Sequence, residues 1–253
     1  MPDFCAVVPV FNHERAVGGV VESIRAHGLP CLLVDDGSGP ACARELDRLA
    51  GLDGVELLRL PVNRGKGGAV GAGLRAAAAR GYSHVLQIDA DGQHDAADIP
   101  SLLAASRADP GAAICGRPVF DSSVPRLRLY GRYLTHLLVW LHTLSFDIHD
   151  SMCGFRVYPV NPVLEILDTE RPGSRMDFDI AVLVHLHWRG TRLRWIDTAV
   201  RYPADGVSHF RLGLDNLFIS RMHAALFVGM LTRLPGLLAR RMRGISPGEG
   251  RTS

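Results

Sequence analysis

The sequence has few cysteines, and they show no spacing that would organise a fold. The five cysteines are an odd number and include no Cys-x-x-Cys pair, which argues against a disulfide framework and a structural zinc site. We therefore expect a reduced, cytoplasmic protein. Because the first residues lead directly into a strand-like run, no signal peptide is expected either.

Long apolar runs are also scarce. The two most apolar stretches cover residues 134–146 and 224–238. The first is too short to cross a bilayer, and the second is interrupted by Arg233 and Pro235. The sequence therefore predicts no transmembrane helix.

The chain carries little net charge. Its formal charge of +2 over 253 residues gives no reason to expect a nucleic-acid partner. The C-terminal part, however, is both basic and apolar. We expect amphipathic helices there that lie on an anionic surface, such as the inner face of a membrane. Packing on the main domain or on a second copy is the competing interpretation, and the oligomeric state stays open. From Arg221 to Arg251 the only acid is Glu249, and the cations are Arg221, Arg233, Arg240, Arg241, Arg243 and Arg251.

Short apolar runs alternate with helical spacings through the first half of the chain. This alternation predicts an α/β fold with a mostly parallel sheet and helices on both faces. Ligands of such sheets bind at the carboxyl ends of the strands. The predicted strands cover residues 4–10, 31–34, 55–60, 84–88 and 112–115, and the predicted helices cover residues 15–26, 42–50, 68–80 and 99–108.

The pattern changes after about residue 125. We expect a main domain over residues 1–214, a C-terminal helical segment over 215–243 and a disordered tail over 244–253. The elements predicted after residue 125 are a long helix over 127–145, a loop over 147–156, helices near 161–167 and 178–189, a strand over 193–202, a polar segment over 206–214 and the last helices over 215–242.

Acidic residues follow two of the predicted strands directly. Asp89-Ala90-Asp91 comes after the fourth strand, where a turn can let both carboxylates address one cation; hard oxygen ligands suit Mg²⁺ or Mn²⁺. A helix cap or turn is the alternative for such a pair. The run Asp35-Asp36-Gly37-Ser38 follows the second strand and offers acceptors for ribose hydroxyls or a base N–H. Here too a turn that caps the next helix is the alternative.

A glycine-rich basic loop, Asn63-Arg64-Gly65-Lys66-Gly67-Gly68, leads into the third helix. Its backbone N–H groups and Lys66 are suited to phosphate. It has neither the GxxxxGK[ST] order of a Walker A loop nor the place of a GxGxxG motif after the first strand. A flexible connector is the alternative interpretation.

Taken together, these motifs resemble family 2 glycosyltransferases, and more narrowly the branch of dolichyl-phosphate mannose synthases and polyprenyl-phosphate glucosyltransferases. The resemblance covers residues 4–215. The motifs that carry it are Pro9-Val10-Phe11-Asn12-His13-Glu14, Val34-Asp35-Asp36-Gly37-Ser38, Asn63-Arg64-Gly65-Lys66-Gly67, Gln87-Ile88-Asp89-Ala90-Asp91-Gly92-Gln93-His94, Gly116-Arg117, Asp150-Ser151-Met152-Cys153-Gly154-Phe155-Arg156 and Gly206-Val207-Ser208-His209.

The resemblance implies a GT-A fold, which is a Rossmann-like and mostly parallel sheet, and inversion at the anomeric carbon of a sugar. It implies a UDP- or GDP-linked sugar as donor and a divalent metal, Mg²⁺ or Mn²⁺. The family segment often reads Gly-x-Ser-Lys, whereas His209 stands here in place of the lysine, so a titratable group replaces a permanent cation. The resemblance assigns the metal and diphosphate to Asp89, Asp91 and Gln93, and the nucleoside part of the donor to Pro9, Phe11, Glu14 and Asp36. It assigns phosphates of the donor or acceptor to Arg117, Arg201, Ser208 and His209. Asp35 and Lys66, from the motifs above, complete the predicted donor site.

The acceptor decides whether a catalytic base is needed. A polyprenyl phosphate is already anionic, whereas a saccharide or other hydroxyl acceptor must lose a proton to a carboxylate. The candidate bases are Asp150 and Asp179, and Arg117 and Arg156 complete the predicted catalytic set. Cys153 has no evident base beside it and is interpreted as packing. The leading hypothesis is transfer to a lipid-linked acceptor; a hydroxyl acceptor, a non-catalytic sugar-nucleotide-binding protein and, more weakly, a nucleotidyltransferase are the alternatives.

Overall fold

The computed structural model describes residues 3–120, 126–200 and 212–242. The strands in this part of the chain are β1 (Phe4–Val10), β2 (Cys31–Asp35), β3 (Val55–Arg59), β4 (His84–Gln87), β5 (Ala113–Phe120), β6 (Arg156–Pro159) and β7 (Leu193–Val200). The helices are α1 (Val17–Ala26), α2 (Pro40–Ala50), α3 (Lys66–Ala79), α4 (Ile99–Ala108), α5 (Arg126–Thr143), α6 (Val160–Thr169), α7 (Phe178–Trp188) and α8 (Leu212–Met242).

The central strands β1, β2 and β4 are short, mainly apolar runs because helices cover both faces of the sheet. In β1, Cys5 and Val7 point into one core cluster, and Ala6 and Val8 point into the other. All four side chains are almost fully buried. The alternation of side chains along a strand therefore supplies two hydrophobic layers from one run.

The seven strands form one sheet in the order β3-β2-β1-β4-β6-β5-β7. Neighbouring strands are parallel except at β6, which runs antiparallel to both β4 and β5. The predicted α/β class with helices on both faces is confirmed, but β6 was missed. The sequence predicts a loop for its first residue, because four residues that begin with an arginine show neither alternation nor a long apolar run.

The reversed strand brings an additional loop to the functional edge of the sheet. Gln87, the last residue of β4, pairs with Arg156, the first residue of β6. The loop that precedes β6 therefore lies beside the carboxyl ends of β1, β2 and β4. Three predicted polar motifs and this loop meet at one edge.

The C-terminal segment is one helix rather than several. α8 continues through Pro235, so the prediction of several helices over this segment is wrong. By length and composition, Gly213–Met242 could cross a membrane, although a core helix passes the same test. Its buried stripe comprises Met222, Leu226, Met230 and Leu237.

Candidate active site

The two carboxylates of the Asp-x-Asp motif emerge on one turn after β4. The N–H of Ile88 donates to the carbonyl of Val7 at 3.3 Å, which ties this end of β4 to β1. Asp89 follows at once. The Asp91 carboxylate accepts a hydrogen bond from the backbone N–H of Gln93 at 3.0 Å, which closes the turn. The side chains are therefore held by the strand register and by the turn.

Lys66 lies between two acidic side chains from different parts of the chain. Its Nζ is 2.8 Å from the Asp89 carboxylate and 2.7 Å from Oδ2 of Asp179. Asp179 also accepts a hydrogen bond of 2.9 Å from the Gln87 side chain. Lys66 is the first residue of α3 and Asp179 lies in the first turn of α7, so the tertiary fold, not a local motif, brings them together.

These contacts set the charge of the site. Burial alone would lower the pKa of Lys66, but the charges of Asp179 and Asp89 outweigh it, and the pKa lies above its ordinary value. Burial would raise the pKa of Asp89, yet Lys66 and His94 hold it well below the usual range. Burial, followed by the neighbouring charge of Asp89, raises the pKa of Asp91. Asp89 is thus the strongly ionised member of the pair.

His94 is part of the site although it had no predicted role. Its Nε2 is 3.7 Å from Oδ2 of Asp89, and its ring stacks on Phe155 with the centroids 5.2 Å apart. The sequence feature that could have indicated His94 is its position in the same polar run, three residues after Asp91. A lone histidine has no fixed spacing to a carboxylate, so the sequence did not single it out.

Gly154 explains why the loop before β6 approaches so closely. A Cβ built on it would lie 2.6 Å from Nζ of Lys66 and 2.8 and 2.9 Å from the Asp89 carboxylate oxygens, closer than real Cβ atoms come to other atoms. Only glycine leaves room for the ion pair at this point. The loop therefore forms one wall of the site.

The residues at this edge suit a hard divalent ion only in part. Carboxylates are the ligands that Mg²⁺ and Mn²⁺ prefer, and Asp89 and Asp91 provide two. Within the described ranges, no group of three or more histidine, cysteine, aspartate or glutamate side chains forms a complete metal site. Gln93 contributes its backbone N–H to the turn, and its predicted metal role stays a prediction. Any ion here needs further ligands from a bound molecule.

The acidic pair after β2 is engaged in holding its own loop. Asp35 accepts hydrogen bonds of 2.8 Å from the N–H of Ser38 and from Nε of Arg59, so each of its oxygens helps to hold the turn, and its donor-binding role stays a prediction. Asp36 accepts one of 2.6 Å from the N–H of Arg64, and burial raises its pKa. Both carboxylates are buried. Asp35 therefore stabilises the turn after β2, as the alternative interpretation predicts.

A further residue, not predicted, joins β1 to the same turn. Asn12 has a φ of 54°, in the left-handed region that asparagine tolerates. Its N–H donates to Oγ of Ser38 at 3.1 Å, and its Oδ1 accepts from the N–H of Gly39 at 2.7 Å. Asn12 thus fastens the end of β1, where the predicted nucleoside contacts lie. Among those, Pro9 and Phe11 are half-buried and Glu14 is exposed.

The glycine-rich loop is packed rather than flexible. The N–H of Gly68 donates to the carbonyl of Ser174 at 2.9 Å, and the N–H of Arg64 is taken by Asp36. A Cβ on Gly65, whose φ is 81°, would lie 2.6 Å from the Ser174 carbonyl oxygen. Two N–H groups of the loop are therefore not available to bind phosphate. The group that the loop contributes to the site is the Lys66 side chain.

Asp150 holds a loop together. Its Oδ1 accepts hydrogen bonds from the N–H groups of Met152 and Cys153, and its Oδ2 pairs with Arg132 and lies 3.3 Å from His136. Burial would raise the pKa of Asp150, but His136 and Arg132 hold it below the usual range. With each oxygen engaged, Asp150 does not have the free carboxylate that a general base needs.

Arg156 is a core residue, which corrects its predicted catalytic role. The side chain is fully buried. It donates to the Tyr158 hydroxyl and to the carbonyls of Asp179 and Ser151 at 2.7 to 2.9 Å. The guanidinium therefore stabilises the backbone at Asp179 and Ser151, and it is not exposed to solvent.

The remaining predicted residues are outside this cluster. Arg117 is about half exposed and pairs with Asp197 across β5 and β7. Arg201, Ser208 and His209 lie outside the described residues. Cys153 is buried, and burial raises the pKa of its thiol to about 12, which agrees with packing and not with nucleophilic chemistry.

The architecture and the sheet-edge site define a glycosyltransferase of the GT-A fold. The family model described as Glycosyl transferase family 2 matches residues 5–164, and the chain belongs to this family of enzymes. Solved structures of glucosyl-3-phosphoglycerate synthase from Mycobacterium tuberculosis share the fold. The complex with Mn²⁺, uridine diphosphate and phosphoglyceric acid superposes with a TM-score of 0.65 at 18% identity, covering 90% of this chain and 78% of that one.

Relatives in the polyprenyl-phosphate branch are more similar in sequence. Polyprenol monophosphomannose synthase of Mycolicibacterium smegmatis is 30% identical over 199 residues, which is 72% of this chain and 70% of that protein. Dolichyl-phosphate beta-glucosyltransferase of Drosophila melanogaster is 29% identical over 205 residues, covering 72% of this chain and 61% of that protein. The predicted family and branch are confirmed.

Proposed function

We propose that the protein moves a sugar from a nucleoside-diphosphate sugar to a lipid-linked acceptor, a polyprenyl phosphate or a related lipid. The observation that carries the proposal is the Asp89–Asp91 pair at the carboxyl end of β4, with Lys66 beside it, in a chain whose relatives are named for polyprenyl-phosphate acceptors.

Donor binding follows from the residues at the sheet edge. Asp89 and Asp91, with Gln93, would hold Mg²⁺ or Mn²⁺ through the oxygen ligands that these ions prefer. When bound, such an ion stabilises negative charge on the departing diphosphate. Lys66 adds a cation of this chain beside the same position. The M. tuberculosis structures with Mn²⁺ and uridine diphosphate support a divalent ion and a UDP-linked donor.

The state of the two candidate bases supports an acceptor that is already ionised. Asp150 is engaged by Arg132 and His136, and Asp179 by Lys66. Neither carboxylate is free to take a proton from a hydroxyl. A phosphate oxygen attacks the anomeric carbon without losing a proton, the bond from that carbon to the diphosphate oxygen breaks, and the configuration inverts.

Exposed apolar side chains supply a surface that would lie on a membrane. On α5 and just after it, Tyr133, Leu134, Leu137 and Phe146 are 60% to 70% exposed. On α8, Leu217, Val228, Leu231, Leu238 and Met242 recur at helical spacing, opposite the buried stripe of that helix. The two helices pack together. We infer that this face lies on the inner membrane surface, where a lipid acceptor is within reach.

A transfer assay tests the acceptor. The protein would be incubated with Mn²⁺ and radiolabelled UDP- or GDP-sugars, and with polyprenyl phosphate in detergent micelles, 3-phosphoglycerate or a free hexose. The proposal predicts label in the solvent-extracted lipid, lost in Asp91→Ala and kept in Asp53→Ala, a control at an exposed aspartate. Label only in a soluble acceptor would contradict the lipid assignment, and no turnover of any donor would indicate a binding protein.

A further inference from the structure

Lys66 is the only lysine in the sequence; all the other Lys and Arg cations are arginines. The two cation types differ in shape: an arginine presents a planar fork, whereas a lysine presents a compact charge on a flexible stem. The space between Asp89, Asp179 and Gly154 fits a compact ammonium group and not a planar guanidinium. Gly154 approaches so closely that a single added carbon would lie 2.6 Å from Nζ.

The ammonium group lies where a metal ion on Asp89 would bind. Nζ is 2.8 Å from both carboxylate oxygens of Asp89. A divalent ion bound to those two oxygens would lie at about 2.1 Å from them, and so would overlap the ammonium. The side chain of Lys66 is only 13% exposed, which leaves little water to separate two cations.

We propose that Lys66 is a built-in counter-cation that competes with the divalent ion for Asp89, so that the ion enters together with the donor. The proposal rests on the proposed function of this site. Without nucleotide, the ammonium neutralises Asp89 and free metal binds weakly. When a donor arrives, its diphosphate offers Lys66 a new anionic partner, and Asp89 becomes available to the ion.

Asp179 has a defined part in this exchange. Its Oδ2 is 2.7 Å from Nζ, and Gln87 fixes its other oxygen at 2.9 Å. Asp179 is therefore a second acidic partner that would keep hold of the ammonium when Lys66 turns from Asp89 to the diphosphate. We assign Asp179 as a positioning residue that acts through Lys66, rather than as the base.

Manganese binding measured without turnover tests the competition. Free Mn²⁺ would be followed by its EPR signal during titration into the protein, with and without uridine diphosphate. For the native chain, weak binding alone and much tighter binding with the nucleotide are expected. Lys66→Met keeps the apolar stem and removes the charge, so nucleotide-free binding should tighten by about tenfold or more. The gain from adding uridine diphosphate should shrink correspondingly.

Two further variants keep the test decisive. Asp179→Asn leaves Asp89 as the sole partner of the ammonium, so nucleotide-free Mn²⁺ binding should weaken, opposite to Lys66→Met. The double variant Lys66→Met/Asp91→Ala should lose the tighter nucleotide-free Mn²⁺ binding of Lys66→Met, which would show that the ion binds at this site. Nucleotide-dependent Mn²⁺ binding that neither single variant alters would overturn the competition while leaving the proposed function intact. Absence of any Mn²⁺ binding, with uridine diphosphate and equally with guanosine diphosphate, would overturn both.

Discussion

Replacing Gly154 with alanine would place a methyl group within the contact between Lys66 and Asp89. The new Cβ would lie 2.6 Å from Nζ, whereas ordinary contacts begin at 3.4 Å, so the atoms must separate by at least 3.4 − 2.6 = 0.8 Å. A displacement of about 1 Å near the reacting groups can cost about 100-fold in rate, or about 2.7 kcal/mol of activation free energy. The crowded atoms are ends of side chains, so the free energy of unfolding should change by less than about 1 kcal/mol.

The assay is kcat/KM for sugar transfer, measured beside urea unfolding. Gly19→Ala is the matched control, since a Cβ there meets nothing within 4 Å. It should leave kcat/KM unchanged and stabilise α1 by about 0.5–1 kcal/mol. Native kcat/KM in Gly154→Ala would refute the geometry proposed for the site. A large loss of stability would assign Gly154 to the fold instead.

Three more changes separate core, pH and packing effects. Arg156→Leu should destabilise the fold by about 3 kcal/mol or more in urea unfolding, because it leaves buried acceptors unpaired. Burial and the neighbouring His223 lower the pKa of His142 from 6.5 to about 4, so the unfolded chain binds the proton first and the free energy of unfolding should fall as pH drops from about 6.5 toward 4. Gly67→Ala should cost about 1–3 kcal/mol because its Cβ would overlap the Phe178 side chain.

The pH and packing predictions each have a control variant, and the Arg156 prediction has a contradicting outcome. His142→Gln should reduce the pH dependence of urea unfolding between 6.5 and 4 without abolishing it, because burial also lowers the pKa of His185 and of His223. An unchanged slope would contradict the contribution of His142. Gly71→Ala, in the same helix as Gly67, would meet only Leu167 at 3.6 Å and should be tolerated. Equal stability of the two alanine variants would contradict the packing described for α3. A stable Arg156→Leu protein with no activity would restore a catalytic role to Arg156.

The fold was predictable wherever a strand is buried on both faces and followed by a helix. β1, β2 and β4 are short apolar runs, and their spacing from the helices is visible in the sequence. β6 is not visible in this way, because its pairing with β4 and β5 comes from tertiary contacts. α8 was mistaken for a broken segment, since a proline is usually taken to end a helix, whereas α8 continues through it.

The site was predictable in part for a similar reason. Asp89 and Lys66 were singled out from local motifs, and the structure brings them into contact. Asp179 reaches the same cluster only through α7, which no spacing predicts. Arg156 was assigned to catalysis because it ends a polar motif. Its burial depends on acceptors at residues 151, 158 and 179, which are distant from one another in the sequence.

Whether the sheet-edge carboxylates hold a divalent ion together with a sugar nucleotide is measured most directly by a thermal-shift panel. UDP- and GDP-sugars would be added with and without Mn²⁺ to the native protein and to Asp91→Ala. A ligand that binds only the folded state stabilises it, so at least one donor should raise Tm in the presence of Mn²⁺. At 100 times its Kd, the donor should add about 2.7 kcal/mol to the free energy of unfolding. That metal-dependent rise should vanish in Asp91→Ala. A flat panel, or a rise that persists in the variant, would contradict the placement of the ion.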